Sequence, residues 1–243
     1  MMKVRPLSKG FRAVQKEQIE KMLEYGVLVP TISEWGTTPT FASKKTQDLR
    51  LCMNFCRLNR MDTIRDNYPL PRAPQLLEKF KGKNYFTALD CAAGYWNIPI
   101  HPDDRHYTAL ICEEGHFEYA RMPFGLRNAP ATFQRIMDKL LKSHSRFTQA
   151  YLDDVIVFSD TFEEHLQHVQ TVMDALNEEG FLLRLSKCFF TMPEVEYLGH
   201  YVGRNGIRMN EKKLMEIRKY LVPKTVKEVQ SFIGLTGYYR KFI

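Results

Sequence analysis

Gln149-Ala150-Tyr151-Leu152-Asp153-Asp154-Val155-Ile156-Val157-Phe158-Ser159 sets two adjacent carboxylates between apolar flanks. Val155 to Phe158 is a β-branched and aromatic run, so both flanks favour strand. The acids fall where the chain reverses, at the tip of a hairpin. Successive side chains of a strand point to opposite faces, so one acid can aim into a site while the other turns aside or reaches it from the bend. Two carboxylates this close repel each other unless a cation lies between them. The surrounding Val, Ile, Leu and Phe exclude water and raise that cost. A hard divalent cation such as Mg²⁺ relieves it. The plain alternative is a solvated Asp-Asp turn, and the rest of the chain weighs against it.

Upstream, Tyr85-Phe86-Thr87-Ala88-Leu89-Asp90 reads as an apolar strand that delivers one carboxylate at its end. Cys91, Ala92, Ala93 and Gly94 follow, small residues that let something bulky approach the backbone; Tyr95-Trp96 then closes the patch. A core strand with a capping Asp is the alternative. Met122-Pro123-Phe124-Gly125-Leu126-Arg127-Asn128-Ala129-Pro130 is a tight loop feeding a helix over 131–143, with Asn128 as N-cap and Pro130 in the first turn. Downstream, Thr161 and Glu164 form a capping box before a long helix that ends at Gly180. His165 and His168 lie one turn apart on that helix, on the stripe opposite Leu166, Val169, Val172 and Leu176, and are expected to face solvent.

Farther out, residues 11–26 read as a surface helix stopped by Gly26. Residues 40–43 and 49–55 read as two strands around a turn at 44–48, and this hairpin carries Lys44, Lys45 and Arg50. By itself it is a charged, solubilising turn; where triphosphates are handled, Lys and Arg hold phosphate oxygens. A short helix is expected near 75–80, a hairpin from 108–112 with 117–120, and strands over 181–185 and 194–202. Two helices close the sequence, over 210–221 and from the capping box Thr225/Glu228 onward.

With 243 residues, 44% of them hydrophobic, the chain can bury a real core, and it shows no apolar run of membrane-span length and no signal-peptide pattern. Five cysteines without C-x-x-C spacing read as reduced thiols of an intracellular protein. The polar stretch Met1 to Pro6 reads as a lead-in. The net charge of +7 favours a polyanionic partner. Interleaved hairpins and helices without steady β-α alternation imply an α+β fold, antiparallel strands with helices on one face. If the strands bearing Asp90 and Asp153-Asp154 are neighbours, three carboxylates converge. Such clusters hold two divalent ions roughly 3.5–4 Å apart for in-line phosphoryl transfer. No Ser-His-Asp or Cys-His arrangement competes with them.

These blocks resemble the reverse transcriptase domain of gypsy-type (Metaviridae) LTR retrotransposons and, more distantly, retroviral reverse transcriptase, over about residues 27–243. Leu51-Cys52-Met53-Asn54-Phe55-Cys56-Arg57-Leu58-Asn59 is similar to the fingers motif, and Phe86 to Tyr95 to the first metal motif. Met122 to Phe133 is the block most specific to the family; Tyr151-Leu152-Asp153-Asp154 resembles the metal tetrapeptide and Val195 to His200 the primer grip. The resemblance implies a right-hand polymerase fold: fingers over 1–65 and 98–128, palm over 66–97 and 129–204, and a partial thumb over 205–243 that reads as cut from something longer. It implies Asp90, Asp153 and Asp154 as catalytic, Mg²⁺-binding acids, with the Cys91 carbonyl helping and Mn²⁺ as a substitute. It implies that Lys45 (or Lys44, since the turn is shorter than in the retroviral enzymes), Arg50, Tyr95 and Phe124 contact the dNTP, Tyr95 as the gate against a ribose 2′-OH. It implies that Gln134, Tyr151, Leu198 and Gly199 contact nucleic acid. The implied activity is RNA- and DNA-templated DNA synthesis on a primer, in the cytoplasm within a virus-like particle, with no membrane partner. Whether RNase H and integrase parts of a polyprotein adjoin it is left open. The rivals are a non-catalytic nucleic-acid-binding or scaffolding subunit, which the intact acids oppose, and an RNA-templated RNA polymerase, which Tyr95 opposes.

Overall fold

A computed structural model describes residues 9–43, 49–61, 63–92 and 94–240. In chain order its elements are α1 (Lys9–Glu24), β1 (Leu28–Pro30), β2 (Pro39–Ser43), β3 (Leu49–Met53), α2 (Cys56–Met61), α3 (Ala73–Glu78), β4 (Tyr85–Asp90), α4 (Pro102–Arg105), β5 (Leu110–Cys112) and β6 (Gly115–Tyr119). Then come α5 (Ala129–Leu140), β7 (Thr148–Tyr151), β8 (Asp154–Ser159), α6 (Phe162–Glu178), β9 (Phe189–Met192), β10 (Glu194–Tyr197), β11 (His200–Gly203), β12 (Gly206–Met209), α7 (Glu211–Arg218) and α8 (Val226–Tyr238). The mixture is α+β with antiparallel strand pairing. The chain divides into two compact units, Met1–Pro69 with Ala92–Met137 and Gly180–Leu182, and Leu70–Cys91 with Asp138–Glu179 and Leu183–Ile243.

The first unit is built around α1, the sheet β1-β6-β5 and the β2-β3 hairpin. Ile19 and Met22 of α1 bury against Leu28, Leu110, Phe117 and Tyr119. Gly26, at φ 63°, ends α1: its N–H bonds the Leu23 carbonyl and the Val27 N–H bonds the Met22 carbonyl, the paired closure that a left-handed residue permits. The turn at 44–48, and Lys44 and Lys45 with it, lies outside the described residues.

The second unit holds the sheet β7-β8-β4-β9. Side chains alternate across a strand, so Phe86, Ala88 and Asp90 share one face of β4 with Ile156 and Phe158 of β8. Leu76, Leu77 and Phe80 of α3, together with Val195, Tyr197 and Val202 of the β10-β11 hairpin, cover that face. The opposite face carries α6, which buries Val172 and Leu176. Thr225 and Glu228 cap α8 reciprocally, whereas in α6 Thr161 accepts from the Glu164 N–H. Among the described residues no helix is long and apolar enough to cross a membrane, and the five cysteines are free thiols.

Three sequence expectations are corrected here. Residues 181–185 are not a strand; the segment joins the sheet by an isolated bridge between Leu183 and Cys91, then turns through a 3₁₀ helix at Leu185–Lys187. Its apolar run lacks alternation because only Phe181 is buried, while Leu182 and Leu185 are exposed. Residues 194–202 are two strands folded on each other, Tyr197 opposite His200, with Leu198 and Gly199 at φ 49° and 69° in the turn. Finally, His165 does not face solvent: its relative exposure is 0%. Its Nε2 meets the Thr87 hydroxyl at 2.8 Å and its Nδ1 the Ser159 hydroxyl at 2.9 Å. His168 is half-buried, 2.8 Å from the same Ser159 oxygen and stacked on the Phe147 ring. The helical-wheel reading failed because α6 lies on two polar residues of the sheet, so its buried stripe includes imidazole and leaves Leu166 exposed.

Candidate active site

The acids are assembled by strand register. β4 and β8 pair antiparallel from Tyr85↔Ser159 to Asp90↔Asp154, so the last residue of one strand stands directly across from the first of the other. Side chains so opposed have Cβ atoms about 4.5–5.5 Å apart. Tyr151 pairs with Asp154, leaving Leu152 and Asp153 as the hairpin loop. Leu152 takes φ 53° there, a left-handed conformation that costs a branched residue on the order of 1 kcal/mol. The loop is fastened to β4 by the Cys91 N–H, which donates to the Asp153 carbonyl at 3.2 Å.

The electrostatics record the crowding. Desolvation by the surrounding protein, then the charges of Asp153 and Asp90, push the Asp154 carboxyl up to about 6, while the Lys187 ammonium pulls it down. Burial, with Asp153, Asp90, Cys188 and Asp154 adding in that order, drives the Cys91 thiol up to about 12. That thiol stays protonated and is no ligand for a hard ion; only the Cys91 carbonyl has the right character.

Asp90 is engaged by two cations of the segment that follows Leu183. Arg184 Nε lies 3.9 Å from its Oδ1 and Lys187 Nζ 3.8 Å from its Oδ2. Sequence reading missed both cations because it assigned 181–185 to a strand. The break Ser186-Lys187-Cys188 after the apolar run is the signal that could have shown a turn. Among the described residues no group of three His, Cys, Asp or Glu stands close enough to form a ready-made metal cage. The donor set nonetheless suits a hard divalent ion: carboxylates brought together by register, one of them held above its ordinary range partly by its neighbours' charge. Asp90, Asp153 and Asp154 are the side chains that would hold it.

The other expected residues separate into groups. Tyr95 and Phe124 lie together in the first unit, ring centroids 4.9 Å apart, with Phe133 5.5 Å from Tyr95. Lys45 lies outside the described residues, and the backbone of Arg50 pairs with Ala42 on the β2-β3 hairpin. Gln134 is corrected: on α5 its exposure is 0%, so it is a core residue with no surface to offer a nucleic acid. Tyr151 and Leu198 pack, partly buried, against the aromatic cluster of the second unit. The Leu198-Gly199 turn is tied to α8, the Tyr238 hydroxyl donating to the Leu198 carbonyl at 2.8 Å and the Tyr239 hydroxyl to that of Gly199 at 3.1 Å.

Tyr197, just before that turn, is buried, and among the described residues its hydroxyl has no hydrogen-bond partner. Burial, then the charges of Asp154 and Tyr151, raises its pKa. An orphaned buried hydroxyl costs about 1–3 kcal/mol. Tyr197→Phe is therefore expected to raise stability by about 1 kcal/mol, seen as a melting temperature higher by roughly 2–4 °C; a lower one would show that the hydroxyl has a partner in solution.

Residues 42–202 match the family model described as reverse transcriptase (RNA-dependent DNA polymerase). The chain belongs to the reverse transcriptase family. This reverse transcriptase domain is 39% identical, over 98% of its length, to the retrovirus-related Pol polyprotein from transposon 297 of Drosophila melanogaster, and 34% identical to that from transposon gypsy of the same species. It spans 23% and 24% of those relatives. Its fold is that of the foamy viral protease-reverse transcriptase. The solved structure in complex with double-stranded DNA superposes with a TM-score of 0.90 at 25% identity, covering 98% of this domain and 42% of that chain. The one in complex with an RNA/DNA hybrid superposes with 0.85 at 25% identity, covering 98% and 32%. The right-hand polymerase fold expected from sequence is thus the fold observed.

Proposed function

We propose that this domain catalyses templated DNA synthesis: the primer 3′-hydroxyl attacks the α-phosphorus of a dNTP, the new phosphodiester bond forms and pyrophosphate leaves. The observation that carries the reading is the β4-β8 register that sets Asp90 opposite Asp154 beside the Asp153 loop. Asp90, Asp153 and Asp154 would hold two Mg²⁺ ions, which would supply acidity to the attacking hydroxyl and offset charge on the leaving group. The Leu198-Gly199 turn, braced by Tyr238 at the end of α8 and Tyr239 just beyond it, supports the primer backbone near Tyr151. Lys45 and Arg50 grip the triphosphate, and Tyr95 with Phe124 forms the aromatic floor and gate for its sugar. The net charge of +7 suits a template-primer duplex, whose binding weakens steeply with salt. RNA and DNA both serve as templates, within a cytoplasmic virus-like particle. Fingers, palm and partial thumb divide as the resemblance implies, and RNase H and integrase parts of a polyprotein adjoin the domain.

Mg²⁺-dependent primer extension on RNA and DNA templates tests this reading; absence of dNMP incorporation on both overturns it. In the same assay Tyr95→Val is expected to raise ribonucleotide use relative to deoxyribonucleotide use by about 10- to 100-fold, the scale on which a pocket discriminates a single hydroxyl. An unchanged ratio would remove Tyr95 from the gate. A scaffolding subunit would need the fold alone and would leave the acids without a role.

A further inference from the structure

We infer that Arg184 and Lys187 are resident counter-cations of the acidic site, holding Asp90 when no divalent ion is bound and thereby setting the ion concentration the site requires. The inference rests on the reading of Asp90 as a metal ligand and goes beyond it. The two cations divide the carboxylate between them, Arg184 at Oδ1 and Lys187 at Oδ2. Their placement is set by backbone. The Arg184 N–H donates to the Asp90 carbonyl at 2.9 Å, and the Lys187 N–H closes the turn on the Arg184 carbonyl at 2.9 Å. Cys188 pins the same turn, its thiol accepting from the Asp90 N–H at 3.5 Å and donating to the Arg184 carbonyl at 3.3 Å. A segment that touches Asp90 through its carbonyl, its N–H and both carboxylate oxygens is built to face that residue.

The pairs are also of a displaceable kind. At 3.8 and 3.9 Å they are longer than hydrogen bonds, and the Arg184 and Lys187 side chains are 41% and 56% exposed. Such ion pairs are weak and screened by salt. Two positive charges beside three carboxylates leave a small residual charge, which keeps the apo site from repelling itself. A dication arriving there meets those two charges and must win Asp90 from them. Their removal therefore favours ion binding at the expense of the ion-free state.

The test is Mn²⁺ binding, read by the free-ion electron paramagnetic resonance signal, without nucleic acid or nucleotide. The unsubstituted domain, Lys187→Gln, Arg184→Gln, the double variant and Lys187→Arg are compared, each with a thermal melt in EDTA and in Mn²⁺. Expected is a Mn²⁺ dissociation constant lower by about 3- to 10-fold in each Gln variant and lower still in the double variant, the range of a single nearby charge seen through partial solvent screening. Lys187→Arg should bind as the parent does, and the melting gain on adding Mn²⁺ should grow in the Gln variants. In an Asp90→Asn background Lys187→Gln should change the dissociation constant by less than it does in the parent, leaving only the effect of Lys187 on Asp154. Unchanged or weaker Mn²⁺ binding in folded Gln variants overturns the counter-cation role while leaving the metal site standing. A parent domain that binds no Mn²⁺, or an Asp90→Asn variant that binds it equally well, overturns the metal-site reading itself.

Discussion

Asp153→Asn and Asp154→Asn are each expected to lower single-turnover nucleotide incorporation by at least about 10³-fold, some 4 kcal/mol of barrier, while leaving template-primer binding within about twofold. Asn keeps the shape of Asp, so the hairpin loop and its bond from the Cys91 N–H survive; what is lost is a negative charge and an oxygen donor for a hard ion. The two positions differ in stability. The Asp154 carboxyl is held at about 6 in the fold, above its ordinary 3.8. A raised carboxylate value means that the fold disfavours the charged form. This group therefore weakens the ion-free domain above pH 6, and the penalty is relieved as pH falls through 6 toward 3.8. Asp154→Asn removes it, so at pH 7.5 and without divalent ion that variant should melt no lower than the parent although it is inactive. Stability and activity are opposed at this position, as is common where a site gathers like charges. Quenched-flow incorporation, filter binding and a melt in EDTA measure the three quantities. An active Asp153→Asn domain would refute the site.

The largest stability effect is expected away from the chemistry, at His165. Its two ring nitrogens meet the hydroxyls of Thr87 and Ser159, and Thr87 in turn accepts from the Thr191 N–H of β9 at 3.0 Å. One imidazole thus joins α6 to β4 and β8, with β9 linked through Thr87. His165→Phe fits the volume but takes one hydrogen bond from each of two buried hydroxyls, leaving Thr87 its bond from the Thr191 N–H and Ser159 its contact with His168, so a loss of about 2 kcal/mol and roughly 4–8 °C in melting temperature is expected. Protonation strains the same contact. Burial, then the neighbouring His168, pushes His165 down to about 4 from its ordinary 6.5. A depressed histidine value means that the unfolded chain takes up a proton before the folded one does. Stability attributable to His165 is therefore whole above pH 6.5 and is lost as pH falls toward 4. Asp154 acts in the opposite sense over an overlapping window, so the measurement belongs in the Asp154→Asn background. There, urea unfolding should weaken by a few kcal/mol between pH 6.5 and 4.5, and His165→Gln should flatten that slope. Equal slopes would remove His165 as the acid-sensitive contact.

Legibility in the sequence followed the range of the interaction. The Asp153-Asp154 hairpin, the strand ending at Asp90, the Thr225 box and the Gly26 stop are written in a few consecutive residues, and each stands where the chain reads it. Their signals are local: alternation, β-branching, a hydroxyl poised before a helix, a glycine free to take positive φ. The Leu198-Gly199 turn reads as strand because Leu198 at φ 49° has no local mark; it is held there by Tyr238 and Tyr239, at the end of α8 and just beyond it.

By itself, then, the sequence determined the element types around the acids, the α+β class and the family of motifs they belong to. Only the tertiary structure decided which residues face Asp90, that Gln134 is core, and that His165 rather than Leu166 of α6 is buried against the sheet. The reason is physical. Helix and strand preferences act over one or two turns of chain, whereas register and burial are set by what packs opposite. Residues 184–187 reach Asp90 only because the sheet brings the two segments together.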